Sequence, residues 1–76
     1  MSINKSILQQ EISQAGLKVT PQRIAVLEAV ISLGNHPTVD EIVEHIKDYH
    51  PSIATGTVYK SLEAMKEKGL IKKSNH

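Results

Sequence analysis

The chain has 76 residues, a formal net charge of +1 and no cysteine. This length suffices for one small domain with a core of marginal size. The absence of cysteine excludes a disulfide framework and a thiolate zinc site within these residues. No apolar run approaches the ~20 residues that cross a bilayer, and the N-terminus lacks the apolar core of a secretory signal peptide. We therefore expect a soluble, intracellular domain with no membrane partner.

Charge is distributed unevenly along the chain. Residues 1–52 contain four cationic and six acidic side chains, whereas residues 53–76 contain five lysines and two glutamates. A basic final third is typical of a segment that meets nucleic acid, but lysines that only keep a surface hydrated give the same pattern. Charge alone leaves both interpretations open.

The first predicted helix runs from about residue 3 to Ala15. Leu8, Ile12 and Ala15 line one of its faces, with Ile7 beside them. Gly16 follows directly and supplies the C-terminal break, because glycine adopts the left-handed conformation that ends many helices.

The second predicted helix begins at Thr20-Pro21 and ends at Gly34. The threonine can cap the helix, and proline at the first helical position needs no acceptor for an amide. Its apolar residues fall on two lines: Ile24, Leu27 and Ile31 on one, and Val26, Val30 and Leu33 on the other. An apolar arc this wide requires burial on more than one side, so we expect this helix at the centre of the core.

The third predicted helix opens with a capping box formed by Thr38 and Glu41. Pro51 forces the preceding residue out of helical geometry, so the helix should end just before it. The side chains expected to face inward are Ile42, Val43, Ile46 and Tyr49, and those expected to face water are Asp40, Glu44, Lys47 and Asp48.

The fourth predicted helix runs from Thr55 to Lys68, with Gly69 as its left-handed cap. Its apolar stripe consists of Val58, Leu62 and Met65, opposite Gly56, Lys60, Glu63 and Glu67, with Thr57 and Tyr59 on the flanks. Two helices joined by a short turn, the second with a polar face outward, are typical of a helix-turn-helix that reads DNA.

The residues after Gly69 resemble the start of a β-strand. Leu70-Ile71-Lys72-Lys73 is short, partly branched and basic, and the sequence ends at His76 before a second strand can return. We therefore predict a mainly α domain over residues 1–76, a winged helix-turn-helix with a truncated β wing.

Five residues of the fourth helix are the candidates for DNA contact. Tyr59 can pack against a thymine methyl, and Lys60 can donate to guanine or phosphate. Gly56 permits close approach of the backbone, and the hydroxyls of Thr55 and Thr57 can donate to phosphates at the helix N-terminus. A half-buried tyrosine and a solvated lysine remain the alternative interpretations.

Two cationic residues near the start of the second helix are further candidates. Lys18, in the linker before the helix, can reach a minor groove, and Arg23 in the first turn can clamp a phosphate. Neither spacing is specific, and plain surface charge is an equal alternative. Among the histidines, His36 lies in an exposed turn before a proline, and its spacing alone does not indicate a metal ligand.

Several segments together resemble the ferric uptake regulator (Fur) family over about residues 10–72. In chain order they are Gly16-Leu17-Lys18-Val19-Thr20-Pro21-Gln22-Arg23, His36-Pro37-Thr38-Val39-Asp40-Glu41, Thr57-Val58-Tyr59-Lys60-Ser61-Leu62 and Gly69-Leu70-Ile71. The combination is specific, although no single motif is. The His-Pro-Thr-x-Asp turn is most similar to the peroxide-sensing branch, PerR.

This resemblance implies the DNA-binding domain of a bacterial, cytoplasmic, metal-dependent repressor that binds an AT-rich palindrome in double-stranded DNA as a homodimer. It implies that Lys18 enters the minor groove, that Tyr59 and Lys60 face major-groove bases, and that His36 is one ligand of a divalent iron or manganese ion. The other ligands, and a structural zinc, would belong to a dimerisation domain absent from these residues. This segment alone should be monomeric and hold no metal.

Three positions differ from the family pattern. The family usually has serine near Ala54 and alanine at Gly56, and both differences should loosen the start of the fourth helix. Position 60 is commonly arginine in iron regulators and asparagine in peroxide sensors, whereas this chain has lysine.

Two other functional classes are compatible with parts of the sequence to different degrees. A winged helix that binds protein rather than DNA would explain the near-neutral charge and the acidic Glu63 and Glu67. An enzyme is disfavoured, because the chain has no phosphate-binding glycine loop, no cysteine and no recognisable serine nucleophile motif.

Overall fold

The computed structural model describes residues 4–34, 37–48 and 50–71. These ranges contain four helices: α1 (Lys5–Gln14), α2 (Pro21–Leu33), α3 (Val39–Lys47) and α4 (Thr55–Glu67). The mainly α class is therefore confirmed. Leu70 and Ile71 form a bend, and the described ranges include no strand. Lys72 and Lys73 lie outside the described residues, so the wing stays a prediction.

Helix α2 is the centre of the fold, as its wide apolar arc predicts. It packs against α1, α3 and α4, and α3 also packs against α4. The buried core draws on all four helices: Leu8, Ile12, Ala25, Val26, Leu27, Ala29, Ile42, Val43, Ile46, Val58, Leu62 and Met65. Burial of these side chains stabilises the fold by roughly 0.8 kcal/mol per CH₂ removed from water.

The last turn of α2 differs from the prediction. Ile31 is 50% exposed and Leu33 is 38% exposed, although each continues one of the two apolar lines. Periodicity identifies the apolar face of a helix, but it does not say how far along that face the neighbouring helices extend. Ala25 and Ala29, by contrast, are buried where α2 meets its neighbours.

The predicted helix starts are confirmed. Thr20 Oγ1 accepts a hydrogen bond from the Arg23 amide at 3.1 Å, with Pro21 at the first helical position. Thr38 and Glu41 form the complete capping box: the Glu41 amide donates to Thr38 Oγ1 at 3.1 Å, and the Thr38 amide donates to Glu41 Oε1 at 2.8 Å.

Helices α1 and α4 end in the same motif. Gly16 and Gly69 have φ angles of 88° and 80°, which glycine adopts without steric cost. The amides of the following Leu17 and Leu70 donate back to the carbonyls of Ile12 and Met65, which completes a Schellman motif at each end. Leu17 and Leu70 both pack against the core, so the chain that leaves each helix is held in place.

Helix α3 ends at Lys47, earlier than Pro51 predicts. One further helix-type hydrogen bond follows, from the His50 amide to the Ile46 carbonyl at 2.8 Å. Proline excludes helical geometry from its neighbour, but it does not determine where the regular turns stop. Ile42, Val43 and Ile46 are buried as predicted, whereas Tyr49 lies outside the described residues.

Candidate nucleic-acid interface

Helix α4 turns one polar face outward because its apolar stripe is held in the core. Val58, Leu62 and Met65 are buried, as predicted, and Ser61 joins them at 8% exposure. Tyr59 is consequently 54% exposed, and Lys60 is exposed beside it. An exposed tyrosine next to a lysine in the second turn of a helix suits contact with base edges in a major groove.

The first turn of α4 leaves its backbone amides open to a partner. The N-cap residue is Ala54, whose methyl side chain cannot accept a hydrogen bond. Thr55, Gly56 and Thr57 follow, all uncharged and exposed. The amides of Thr55 and Gly56 precede the first helical hydrogen bonds, which run from Thr57 and Val58 to the Ala54 carbonyl. This positive end of the helix dipole therefore favours an anion.

A shallow cleft of about 240 Å³ joins the start of α4 to the start of α2. Its lining residues are Gln22, His50, Ser52, Ile53, Ala54 and Thr57. Gln22 directly precedes Arg23, and Thr57 lies in the first turn of α4. The fold thus brings the starts of α2 and α4, which are more than 30 residues apart in sequence, to one cleft.

The linker before α2 has a defined path in which Arg23 takes part. The Arg23 guanidinium nitrogen Nη1 donates to the Lys18 carbonyl oxygen at 2.7 Å. Lys18 itself is exposed, whereas Arg23 is half-buried. The structure therefore places Arg23 against the linker backbone, a role that the sequence does not indicate.

Acidic residues also lie on the exposed face of α4. Glu63 pairs with Lys66 at 3.9 Å between Oε2 and Nζ, one turn along the same helix. An exposed pair of this kind stabilises a protein by at most about 1 kcal/mol. The pair also places the Lys66 ammonium beside the Glu63 carboxylate, so part of the negative charge on this face of α4 is balanced within the helix.

The metal prediction falls outside the described part of the chain. His36 is one of the two residues of its turn that the structure does not describe. Within the described ranges, no three histidine, aspartate or glutamate side chains converge as a metal site. The described residues therefore do not fit a complete metal site.

Sequence reasoning missed three residues of this surface: Gln22, His50 and Ser52. Gln22 and Ser52 are polar residues beside predicted helix starts, which is a signal for the anion-binding ends of helices. His50 lies shortly after the end of α3, and only the folded turn brings it to the cleft.

A model of the ferric uptake regulator family matches residues 14–76. The chain belongs to the ferric uptake regulator family. Among curated Fur-family relatives, the "Peroxide-responsive repressor PerR" of Staphylococcus aureus strains Mu50 and USA300 is 41% identical over 61 residues. The aligned region covers 80% of this chain and 41% of each relative, so the chain spans less than half of their length. No solved structure gives a significant match.

No helix in the described ranges is both long enough and apolar enough to cross a membrane.

Proposed function

We propose that this chain is the DNA-binding part of a cytoplasmic, metal-dependent transcriptional repressor that responds to peroxide or to iron. The observation that carries the proposal is the common placement of the starts of α2 and α4. Residues at the start of both helices line one cleft. Tyr59 and Lys60, both exposed, lie one turn further along α4. Family membership and similarity to PerR support the same conclusion.

In this mechanism, α4 enters the major groove of an AT-rich palindromic operator. Tyr59 packs against thymine methyls, and Lys60 donates to a base edge or a phosphate. Thr55, Gly56 and Thr57 bring open amides and hydroxyls to the phosphate backbone. Lys18 extends from the linker into the adjacent minor groove, and a short β wing after Gly69 follows α4.

The repressor acts as a homodimer in this proposal, with one half-site per copy of the domain. The segment alone is monomeric and binds a half-site weakly, because two linked half-sites are needed for high affinity. His36 supplies one ligand of the regulatory metal, iron or manganese. The remaining ligands, and a structural zinc, belong to the part of the relatives that this chain does not span.

The test is fluorescence anisotropy of the 76-residue chain on a labelled AT-rich palindrome and on a scrambled duplex across a salt series. We expect tighter binding to the palindrome and a steep loss of affinity with salt, because each phosphate contact releases a counterion. Weak, equal and salt-insensitive binding to both duplexes would contradict the proposal.

Substitution of Tyr59 tests the base contact. Tyr59→Ala should weaken binding to the palindrome by roughly 1–2 kcal/mol, because apolar contact with thymine methyls is lost, and bring it close to the affinity for the scrambled duplex. The thermal midpoint should change little, since Tyr59 is 54% exposed. Lys5→Ala changes an exposed residue of α1 that lies outside the proposed contacts. It serves as the control and should leave the preference for the palindrome unchanged. Unchanged operator affinity in Tyr59→Ala would exclude the proposed contact.

A protein-interaction module is the alternative function, and one surface favours it. An open groove near the end of α2 is lined by Leu33, Asp40, Glu41, Glu44 and His45. Leu33 and Gln22 are eleven residues apart on α2, or about 16 Å at 1.5 Å per residue. This acidic, partly apolar groove is thus distant from the candidate DNA interface, and its acidic residues would repel DNA.

A further inference from the structure

We infer that Arg23 is a positioning residue, which fixes the linker of residues 17–20 so that Lys18 is presented to DNA. This inference rests on the proposed function. The decisive contact is the solvent-exposed hydrogen bond of 2.7 Å from Arg23 Nη1 to the Lys18 carbonyl oxygen. A charge-assisted hydrogen bond is roughly twice as strong as one between neutral groups.

The linker is held at both of its ends as well as at its centre. Before Lys18, the Leu17 amide donates to the Ile12 carbonyl at 3.1 Å, and the Leu17 side chain packs against the core. After Lys18, Thr20 caps α2 through the Arg23 amide. Arg23 therefore acts twice on the same segment, through its amide at Thr20 and through its guanidinium at Lys18.

As a consequence, the backbone of Lys18 is fixed, whereas its side chain extends into solvent. Its carbonyl points to Arg23, while its side chain is exposed. A lysine on a mobile linker would lose backbone freedom on entering a groove, and this loss would weaken binding. A linker that is already ordered avoids this loss. Arg23 thus contributes to affinity through the position of Lys18.

A double-mutant cycle with Arg23→Met and Lys18→Ala tests this assignment. Methionine keeps much of the half-buried stem of Arg23 and removes the donor. We expect Arg23→Met to weaken operator binding about three- to tenfold in the unaltered chain, the scale of ordering one such segment. In the Lys18→Ala background the same substitution should change affinity less than about twofold, since the group that it positions is gone.

The salt dependence distinguishes positioning from a direct phosphate contact. If Arg23 acts through Lys18, the chains with Lys18→Ala alone and with both substitutions should share one salt slope. If Arg23 mainly binds a phosphate, the salt slope of the double variant should be smaller by about 0.9 than that of Lys18→Ala alone. Arg23→Met should then lower the affinity for DNA both in the unaltered chain and in the Lys18→Ala chain. That result would overturn the inference. Lys5→Met is the control for loss of a distant exposed cation.

A measurement without DNA separates this inference from the proposed function. Backbone ¹⁵N relaxation of the free chain should show order parameters near 0.85 for Lys18 and Val19, falling toward 0.6 in Arg23→Met, while Leu17 remains ordered. Unchanged order at Lys18 in that variant would exclude the positioning role alone. Failure of the unaltered chain to bind any duplex would instead remove the proposed function, and the role of Arg23 in DNA binding with it.

Discussion

Helices α3 and α4, the two members of the helix-turn-helix, begin in contrasting ways. Helix α3 starts with reciprocal hydrogen bonds between Thr38 and Glu41, and its first turn contains two acidic residues that complement the helix dipole. Helix α4 starts at Ala54 and continues through uncharged residues that include Gly56. At the start of α3, side chains of the protein itself form the capping hydrogen bonds. At the start of α4, no side chain caps the helix, so backbone amides are available as donors to a partner.

This difference separates two tasks within one motif. Helix α3 must keep its place against α2 and α4, so local stability is an advantage there. The start of α4 faces the proposed phosphate backbone, where a capping carboxylate would compete with the anion. A helix end that lacks an internal cap costs stability in the free protein. We expect the free domain to be least stable at the first turn of α4 and to gain order there on binding DNA.

The largest effect should come from breaking the core that α3 and α4 share. Ile46 of α3 is fully buried in the core, to which α4 also contributes, and Ile46→Ala should lower the free energy of unfolding by about 2–5 kcal/mol through lost burial and a residual cavity. Urea denaturation followed by circular dichroism measures this change. Glu44→Ala on the exposed face of α3 should shift it by less than about 0.5 kcal/mol. Similar losses in both variants would argue against the described packing.

Removal of the capping box should make the start of α3 resemble that of α4. Thr38→Ala removes the acceptor for the Glu41 amide and should reduce the free energy of unfolding by about 1 kcal/mol. Thr57→Ala is the matched threonine control, because Thr57 lies in the first turn of α4 and is not an N-cap. The same denaturation measurement applies. An equal loss in the control would show that the capping box does not stabilise α3.

The reverse change supplies α4 with the cap that it lacks. Ala54→Ser places a hydroxyl at the N-cap position and should raise the free energy of unfolding by about 0.5–1 kcal/mol. Hydrogen exchange at the amides of the first turn of α4 should slow correspondingly. Ala64→Ser, at an interior position of the same helix, provides the control and should not stabilise the chain. Faster exchange in Ala54→Ser would contradict the interpretation of the start of α4.

The smallest effect concerns Gly56. A methyl group added there would meet no described atom within 4 Å, so Gly56→Ala should stabilise α4 by at most about 1 kcal/mol through helix propensity. Operator affinity should not rise in parallel, because the methyl group lies where the backbone is proposed to approach DNA. Comparison of the thermal midpoint with anisotropy on the palindrome measures both. A gain in affinity equal to the gain in stability would exclude close approach at Gly56.

Local sequence signals predicted the capped ends of helices more accurately than the extent of the core. Thr20, Thr38 and Gly69 act through hydrogen bonds and backbone conformations within a few residues, so their roles can be inferred from neighbours alone. The exposure of Ile31 and the burial of Ser61 depend on where other helices pass. The periodicity of apolar residues within one helix does not show where the other helices pack against it.

The candidate interface divides in the same way. The outward face of α4 follows from its buried stripe, so the exposure of Tyr59 and Lys60 was predictable. The hydrogen bond from Arg23 to the Lys18 carbonyl joins the first turn of α2 to the linker that precedes it. It therefore depends on the path that the linker takes in the folded chain. The cleft between Gln22 and Thr57 likewise exists only once α2 and α4 have packed. Contacts between distant segments are therefore the part that the sequence leaves undetermined.

The packing of α4 directly on α2 has a consequence for the choice of operator. Lys18 is tied through Arg23 to α2, and Tyr59 belongs to α4, so the proposed minor-groove and major-groove contacts are carried by one rigid unit. We expect the affinity of such a unit for DNA to fall less when one base pair of the operator is replaced than when the distance between the two groove contacts is changed. Insertion of one base pair between the two contacts displaces them by about 3.4 Å along the duplex and rotates one groove relative to the other. The domain would then measure the separation of two groove positions as well as the identity of the bases within them.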